Sequence, residues 1–342
     1  MKRTLASAAG AILATALFAA PAMAQGSGSA TIDAIMKRGQ LVCGVAGLTA
    51  GFSLPDSQGV MRGIDADSCR TVAAAVLGDA SKIRFVPTTT TNRFTMLQSG
   101  EVDMLYRSTT WTLGREASLG TEFASINFYD GTGFLVKTST NVKSVKELDG
   151  ATVCVQPGTS TELAIADYFR VNKMKFTPIL MQDLSEIQNA YLAGRCDAYS
   201  TDASGLASFR SQQGAKAPEH TLLPEIISKE PLGAMVRKGD DKFFDVVRWT
   251  YFATLIAEEN GMDSKTIDSF AANTVPEIRR FLGLEGDMGK QLGLDNKWAY
   301  NVIKQVGNAA EIWERNITPL GVPRGINNLW TKGGLNYAPP MR

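Results

Sequence analysis

From residue 40 onward the chain alternates short apolar runs with longer stretches in which apolar positions recur every three to four residues. The runs at 40–45, 83–86 and 102–106 predict strands, and the stretches at 67–77 and 93–99 predict the helices between them. Short apolar strands separated by helices point to an α/β sheet with mostly parallel strands. The same grammar restarts near Val145. Ser144 and Glu147 stand at capping-box spacing and open a short helix ending near Gly150. Strands at 152–155, 177–180 and 197–200 then alternate with helices at 160–171 and 184–193. The repeated order implies two similarly built lobes, 25–128 with 231–342 and, between them, 129–230. Candidate strands around Phe134 and Ala234 fall near the two crossings, and no long Gly/Ser linker separates the halves. Two short connections of this kind suit hinge closure around a ligand. From Asp245 the residues Val246, Trp249, Phe252, Leu255 and Ile256 form an apolar stripe that reads as a core-facing helix. Residues 261–342 continue as a helical extension with a Gly/Asn/Pro-rich tail.

The start of the chain has a different pattern. Lys2 and Arg3 precede an uncharged run at 11–20 and then Pro21-Ala22-Met23-Ala24, which predicts a secretory signal peptide cleaved after Ala24. The run is too short to span a bilayer, and no later stretch is apolar for long enough. The mature chain is expected outside the cytoplasm, with no membrane insertion. The whole chain carries 35 basic and 34 acidic residues. A near-neutral balance without a basic run gives no electrostatic reason to bind nucleic acid.

Export changes how the four cysteines are read. Three pairings are possible, and an even count in an exported chain favours disulfides. Cys43 lies in a predicted strand, Cys69 in the following helix, Cys154 in another strand and Cys196 just before the next. The expected pairs are therefore Cys43–Cys69 and Cys154–Cys196, one within each lobe. No two cysteines have metal-finger spacing and His220 is the only histidine, so neither a metal nor a cofactor is expected.

Five further elements occur in order. Gly63-Ile-Asp-Ala-Asp67 is a turn entering a helix, followed by Leu97-Gln-Ser-Gly-Glu-Val-Asp103 and Ser108-Thr-Thr-Trp-Thr-Leu-Gly-Arg115. The second half adds Val155-Gln-Pro-Gly-Thr-Ser160 and Gly194-Arg-Cys-Asp-Ala-Tyr-Ser-Thr-Asp202. Together they resemble the signatures of the family 3 periplasmic solute-binding proteins, the polar amino-acid receptors of ABC importers. A narrower resemblance, to the general L-amino-acid-binding proteins, runs through Cys43-Gly-Val, Gly51-Phe-Ser, Thr109-Thr-Trp-Thr and the tail around Trp330. The resemblance implies a two-lobed type II binding-protein fold, each lobe a mixed sheet flanked by helices, with the ligand cleft between them. It also implies a receptor in the periplasm that delivers L-amino acids to permease subunits of an ABC importer, and a monomer is expected because a hinged receptor must present both lobe surfaces to its transporter.

An amino acid presents a carboxylate and an ammonium on one carbon, and both must be satisfied once water is excluded. Arg115 is positioned by the resemblance to hold the carboxylate with a two-pronged contact that Lys would not reproduce. The helix start at Gly158-Thr159-Ser160 offers the Ser160 N–H as a second clamp. Asp202, with the Thr110 hydroxyl and the Ser108 carbonyl, is assigned to the ammonium, and Gln156 reaches into the cleft. Asp197, five residues before Asp202, reads as a backbone pin. The loop 46–51 and Thr90 carry small residues where many relatives place aromatic rings, which leaves room and predicts broad specificity. An enzyme on the same scaffold, a dehydratase or lyase using carboxylate acid/base chemistry, is the rival. The sequence offers no Ser-His-Asp set, phosphate-binding loop or zinc helix in its support. A sensory module presenting ligand to a receptor is a second rival.

Overall fold

The computed structural model describes residues 27–342, so the expected leader and its cleavage after Ala24 lie outside the described residues. Helix α1 (Ala30–Arg38) starts where the Ser29 hydroxyl accepts the Ile32 N–H, and stops at Gly39, whose φ of 70° only glycine adopts cheaply. Strand β1 (Leu41–Val45), the small hairpin β2 (Leu54–Pro55) and β3 (Met61–Arg62), α2 (Ile64–Leu77), β4 (Ile83–Pro87) and α3 (Arg93–Gln98) follow. Next come β5 (Met104–Thr110), α4 (Leu113–Ser118) and β6 (Thr121–Asp130). The second half runs β7 (Thr132–Lys137), β8 (Thr152–Val155), α5 (Ser160–Val171), β9 (Thr177–Leu180), α6 (Leu184–Leu192), β10 (Ala198–Asp202), α7 (Ala203–Gln212) and β11 (His220–Leu222). The chain returns through β12 (Glu230–Arg237) to α8 (Asp241–Glu259). It ends in α9 (Pro276–Phe281), α10 (Met288–Gln291), α11 (Trp298–Val306) and α12 (Ala309–Asn316).

The strands form two five-stranded sheets, ordered β4-β1-β5-β12-β6 and β11-β7-β10-β8-β9. In the first, β4, β1 and β5 are parallel and β12 runs against both of its neighbours. In the second, β8, β9 and β10 are parallel, and β7 runs against β10 and β11. Both sheets are thus mixed, since β7 and β12, the strands that follow the crossings, run opposite to the parallel set. The ten-residue β6 went unpredicted because Glu122, Ser125 and Asn127 interrupt its apolar pattern. The segment after Ser144 is a single 3-10 turn rather than an α-helix, and the Ser144 hydroxyl accepts from Lys146 instead of Glu147.

Only Gly131 separates β6 from β7. A Cβ there would stand 2.1 Å from Ile226 and 2.7 Å from the Ser228 carbonyl, so the two crossings pack directly on each other. Gly63, at the entry to α2, has φ 127° and leaves 2.0 Å between a notional Cβ and the Phe52 oxygen. Both cysteine pairs form as expected: Cys43–Cys69 joins β1 to α2 across 6.2 Å between Cα atoms, and Cys154–Cys196 ties β8 to the start of β10 across 5.7 Å. The C-terminal helices bury Phe281, Trp298 and Val302 against α2 and α8. Two contacts fix the tail beyond them. Arg324 grips Glu258 with two hydrogen bonds of 2.8 and 2.6 Å, and the Asn327 amide matches both backbone groups of Tyr129, next to the crossing. Among the described residues no helix is long and apolar enough to cross a membrane.

Candidate functional site

The ends of β5, β10 and β12 and the N-terminus of α5 meet in a cleft between the two sheets. All six residues expected to bind ligand lie on its wall: Ser108, Thr110 and Arg115 on one side, Gln156, Ser160 and Asp202 on the other. The enclosed space is about 60 Å³. One buried water needs roughly 10–15 Å³, so the cleft takes the head of a small metabolite.

At Ser108 β5 leaves the regular ladder. Its φ is 44°, and the register with β12 shifts between Leu232 and Ala234. The Ser108 N–H and hydroxyl both donate to Asp65, at 2.9 and 3.0 Å, and Asn127 donates to the other Asp65 oxygen at 3.1 Å. Burial pushes the Asp65 carboxyl up, and these hydrogen bonds oppose that shift. The motif at 63–67 thus supplies a buried carboxylate that holds the strained residue in place.

Glu230, 2% exposed at the start of β12, collects four hydroxyls. Thr110 donates at 2.6 Å and Ser160 at 2.7 Å to one oxygen, while Ser228 at 2.6 Å and Thr132 at 3.2 Å donate to the other. Thr110 stands on β5 and Ser160 on α5, so one carboxylate ties together the two walls and both crossings. The Thr110 proton is therefore committed to Glu230, which leaves its oxygen lone pairs as acceptors for an ammonium. No motif singled Glu230 out.

Arg115 sits in the first turn of α4, where the Thr112 hydroxyl accepts its N–H. One guanidinium nitrogen donates to the Thr110 carbonyl at 2.8 Å. Burial lowers its pKa, against the opposing charges of Glu230 and Asp202. Two more arginines line the same cleft, Arg93 at the start of α3 and Arg107 on β5. The first was read only as a helix start, and the second stands one residue before the Ser108 motif. Burial drives Arg93 well below its ordinary pKa, with Arg107 and Arg115 adding to the effect. Burial likewise pushes Arg107 down to about 10, opposed by Asp65 and Asp202.

Asp202 ends β10, and its carboxylate accepts no hydrogen bond among the described residues. Burial, then the neighbouring Asp130 and Glu230, raises its pKa well above the carboxylate range, while Arg115 and Arg93 pull it back. Asp130 is pushed up to about 6, mainly by burial. Gln156 is held by its own side of the cleft, donating to the Gln182 carbonyl at 2.8 Å. Asp197 pins β8 to β10 by accepting the Thr152 N–H and hydroxyl, at 2.8 and 2.6 Å. His220 is a core residue bonded to Tyr191. Ala46, Thr49 and Thr90 line the cleft as the small residues expected there, with Phe52 and Tyr199 supplying aromatic wall from positions that sequence reasoning passed over. No group of His, Cys, Asp and Glu among the described residues has the arrangement of a metal site. The cleft therefore presents guanidiniums for an anion and a carboxylate for a cation, with hydroxyls between.

Comparison with known proteins matches residues 41–268 to the bacterial extracellular solute-binding proteins, family 3. The glutamate/glutamine/aspartate/asparagine-binding protein BztA of Rhodobacter capsulatus is 51% identical, over 94% of this chain and 96% of that one. The general L-amino acid-binding periplasmic protein AapJ of Rhizobium johnstonii is 50% identical, over 96% of this chain and 99% of its own length. Among solved structures, a Brucella ovis ABC transporter periplasmic binding protein with glutathione bound superposes with a TM-score of 0.89 at 48% identity, covering 91% of this chain and 99% of that one.

Proposed function

The chain belongs to the family 3 bacterial extracellular solute-binding proteins, and from that premise we propose that it captures L-amino acids in the periplasm and hands them to the permease of an ABC importer. The observation that carries the reading is the division of the site. The guanidinium of Arg115 stands on one wall and the carboxylate of Asp202 on the other. A ligand with a carboxylate and an ammonium on one carbon is held fully only when the walls close. Closure then reports occupancy, which is the signal a transporter needs. Arg115 takes the carboxylate with the Ser160 N–H, while Asp202, Thr110 and the Ser108 carbonyl take the ammonium. Gln156 borders the side-chain end. The moving units are residues 25–128 with 231–342, and 129–230, hinged at the paired crossings. The mature protein, starting after Ala24, acts as a monomer and releases its ligand unchanged, without catalysis. The small residues at Ala46, Thr49 and Thr90 leave the side-chain end open, which supports broad specificity.

The test is a thermal-shift screen of refolded, ligand-free protein against all L-amino acids and glutathione, followed by calorimetry. Ligand binding to the native state raises the melting temperature by mass action. Several stabilising amino acids are expected, with binding weakened about 100-fold or more in Arg115→Ala and Asp202→Ala, since each leaves a buried charge of the ligand unpaired. No response to any amino acid, or turnover of a bound one, overturns the proposal.

A further inference from the structure

The family match ends at residue 268, and the chain runs on to residue 342. The helices of this extension pack on α2 and α8, and no residue of it lines the cleft. Three contacts nevertheless carry it to the moving parts. The 3-10 turn Thr318–Leu320, after α12, packs against α7, which belongs to the other lobe. The same turn backs the loop at 46–51. A Cβ on Gly51 would stand 2.6 Å from the Leu320 side chain and 2.9 Å from the Asn316 carbonyl, so loop and turn are in close contact. Farther along the tail Asn327, 5% exposed, accepts the Tyr129 N–H at 2.7 Å and donates to the Tyr129 carbonyl at 3.0 Å. Asn336 donates to the Asn327 carbonyl at 2.7 Å and accepts the Tyr251 hydroxyl at 2.9 Å, which fixes this clasp to α8. Tyr129 stands two residues before Gly131, whose carbonyl accepts the N–H of Ala203, the first residue of α7, at 2.8 Å. The tail thus holds one crossing and touches the helix that starts from it.

In this structure the walls meet, with the Ser160 and Thr110 hydroxyls 2.9 Å apart, and α7 brings Ser204, Gly205 and Ser208 to the cleft. The contact of α7 with the turn belongs to this closed arrangement. Resting on the receptor reading above, we propose that the C-terminal extension is a third bridge between the lobes, made on closure and broken on opening, with Leu320 and Asn327 as its positioning residues. A contact present only in the closed form shifts the balance between open and closed by its own free energy. Apparent affinity scales with the closed fraction, so the bridge acts on every ligand by the same factor without touching any of them.

Calorimetry with L-glutamate, L-glutamine and L-alanine on refolded, ligand-free protein, with small-angle X-ray scattering of the same samples, tests this. In Leu320→Ala the affinity for all three is expected to fall by one common factor, about three- to tenfold, the scale of a half-buried aliphatic side chain. Asn327→Ala falls in the same direction, and Leu320→Met, which keeps the volume, stays within about twofold of the unaltered protein. The ligand-free alanine variants have a larger radius of gyration than the unaltered protein. Circular dichroism establishes that each variant is folded, and Leu320→Val replaces the alanine variant should that one not fold. A lowered melting temperature with unchanged affinities overturns the bridge, because the extension then stabilises only its own lobe. A factor that differs widely between the three ligands overturns it as well. Failure of every amino acid to bind the unaltered protein sinks the amino-acid reading alone. Scattering then decides the bridge: equal radii in variant and unaltered protein overturn it, and a larger radius in the variants sustains it.

Discussion

Replacing Glu230 by Ala removes the one group that both walls and both crossings share. Four hydroxyls donate to it, from Thr110, Ser160, Ser228 and Thr132. Thr110 and Ser160 face the cleft, where water can replace the lost acceptor. Thr132 and Ser228 sit between the packed crossings and lose their partner outright. At about 1.5–3 kcal/mol for each hydrogen bond to a charged group, these two set a cost of about 3–6 kcal/mol. At roughly 2 °C per kcal/mol for a chain of this length, the melting temperature falls by about 6–12 °C. Glu230→Gln keeps the shape and one acceptor oxygen and costs about 1–2 kcal/mol. Scanning calorimetry and denaturant midpoints on ligand-free protein measure the stability, and isothermal titration measures the loss of the closed form as weakened ligand binding. A loss below about 1 kcal/mol in Glu230→Ala, with an unchanged denaturant slope, would mean that all four hydroxyls find water freely, and would refute the role given to the carboxylate.

Further outcomes follow from the same geometry. The two disulfides close loops of 26 and 42 residues. Removing either as a Cys-to-Ala pair should cost roughly 3–4 kcal/mol in denaturant unfolding; unchanged midpoints would contradict the pairing. The Asp202 carboxyl, which burial raises well above the carboxylate range, must be ionised to face an ammonium. Amino-acid affinity should therefore fall as pH drops below neutral, with proton release on binding seen by calorimetry in buffers of different ionisation enthalpy. The ligand-free protein should show the opposite trend. Its Asp202 and Asp130 carboxyls, the latter pushed up to about 6, bind protons more tightly than in the unfolded chain, so these two favour folding as pH falls from 7 towards 5; affinity that rises on acidification would break the argument. Gly63→Ala should destabilise by about 3 kcal/mol or more, because its φ of 127° and the 2.0 Å approach to the Phe52 oxygen exclude a side chain; a neutral result in thermal melts would contradict the turn.

The alternation of apolar runs was enough to find ten strand and helix segments of the two lobes, because central parallel strands such as β1 are buried along their whole length and so are apolar throughout. The cysteine pairs were legible because an even count in an exported chain favours disulfides and each expected pair stays within one lobe. Arg115, Asp202 and the Ser108–Thr110 turn were legible as motif positions. Other features were decided only by the tertiary structure. Strand β6 carries polar residues because its sides meet different neighbours, Asn127 reaching Asp65 and Tyr129 meeting the tail at Asn327. Glu230, Arg93 and Arg107 look like ordinary surface charges in the sequence, and a local pattern cannot say otherwise. A charge is buried by whatever packs around it, and here that comes from segments up to 120 residues away, as with Thr110 and Glu230. Hydrophobic spacing is a local property that the chain carries with it, whereas the company a buried charge keeps exists only once the two sheets have come together.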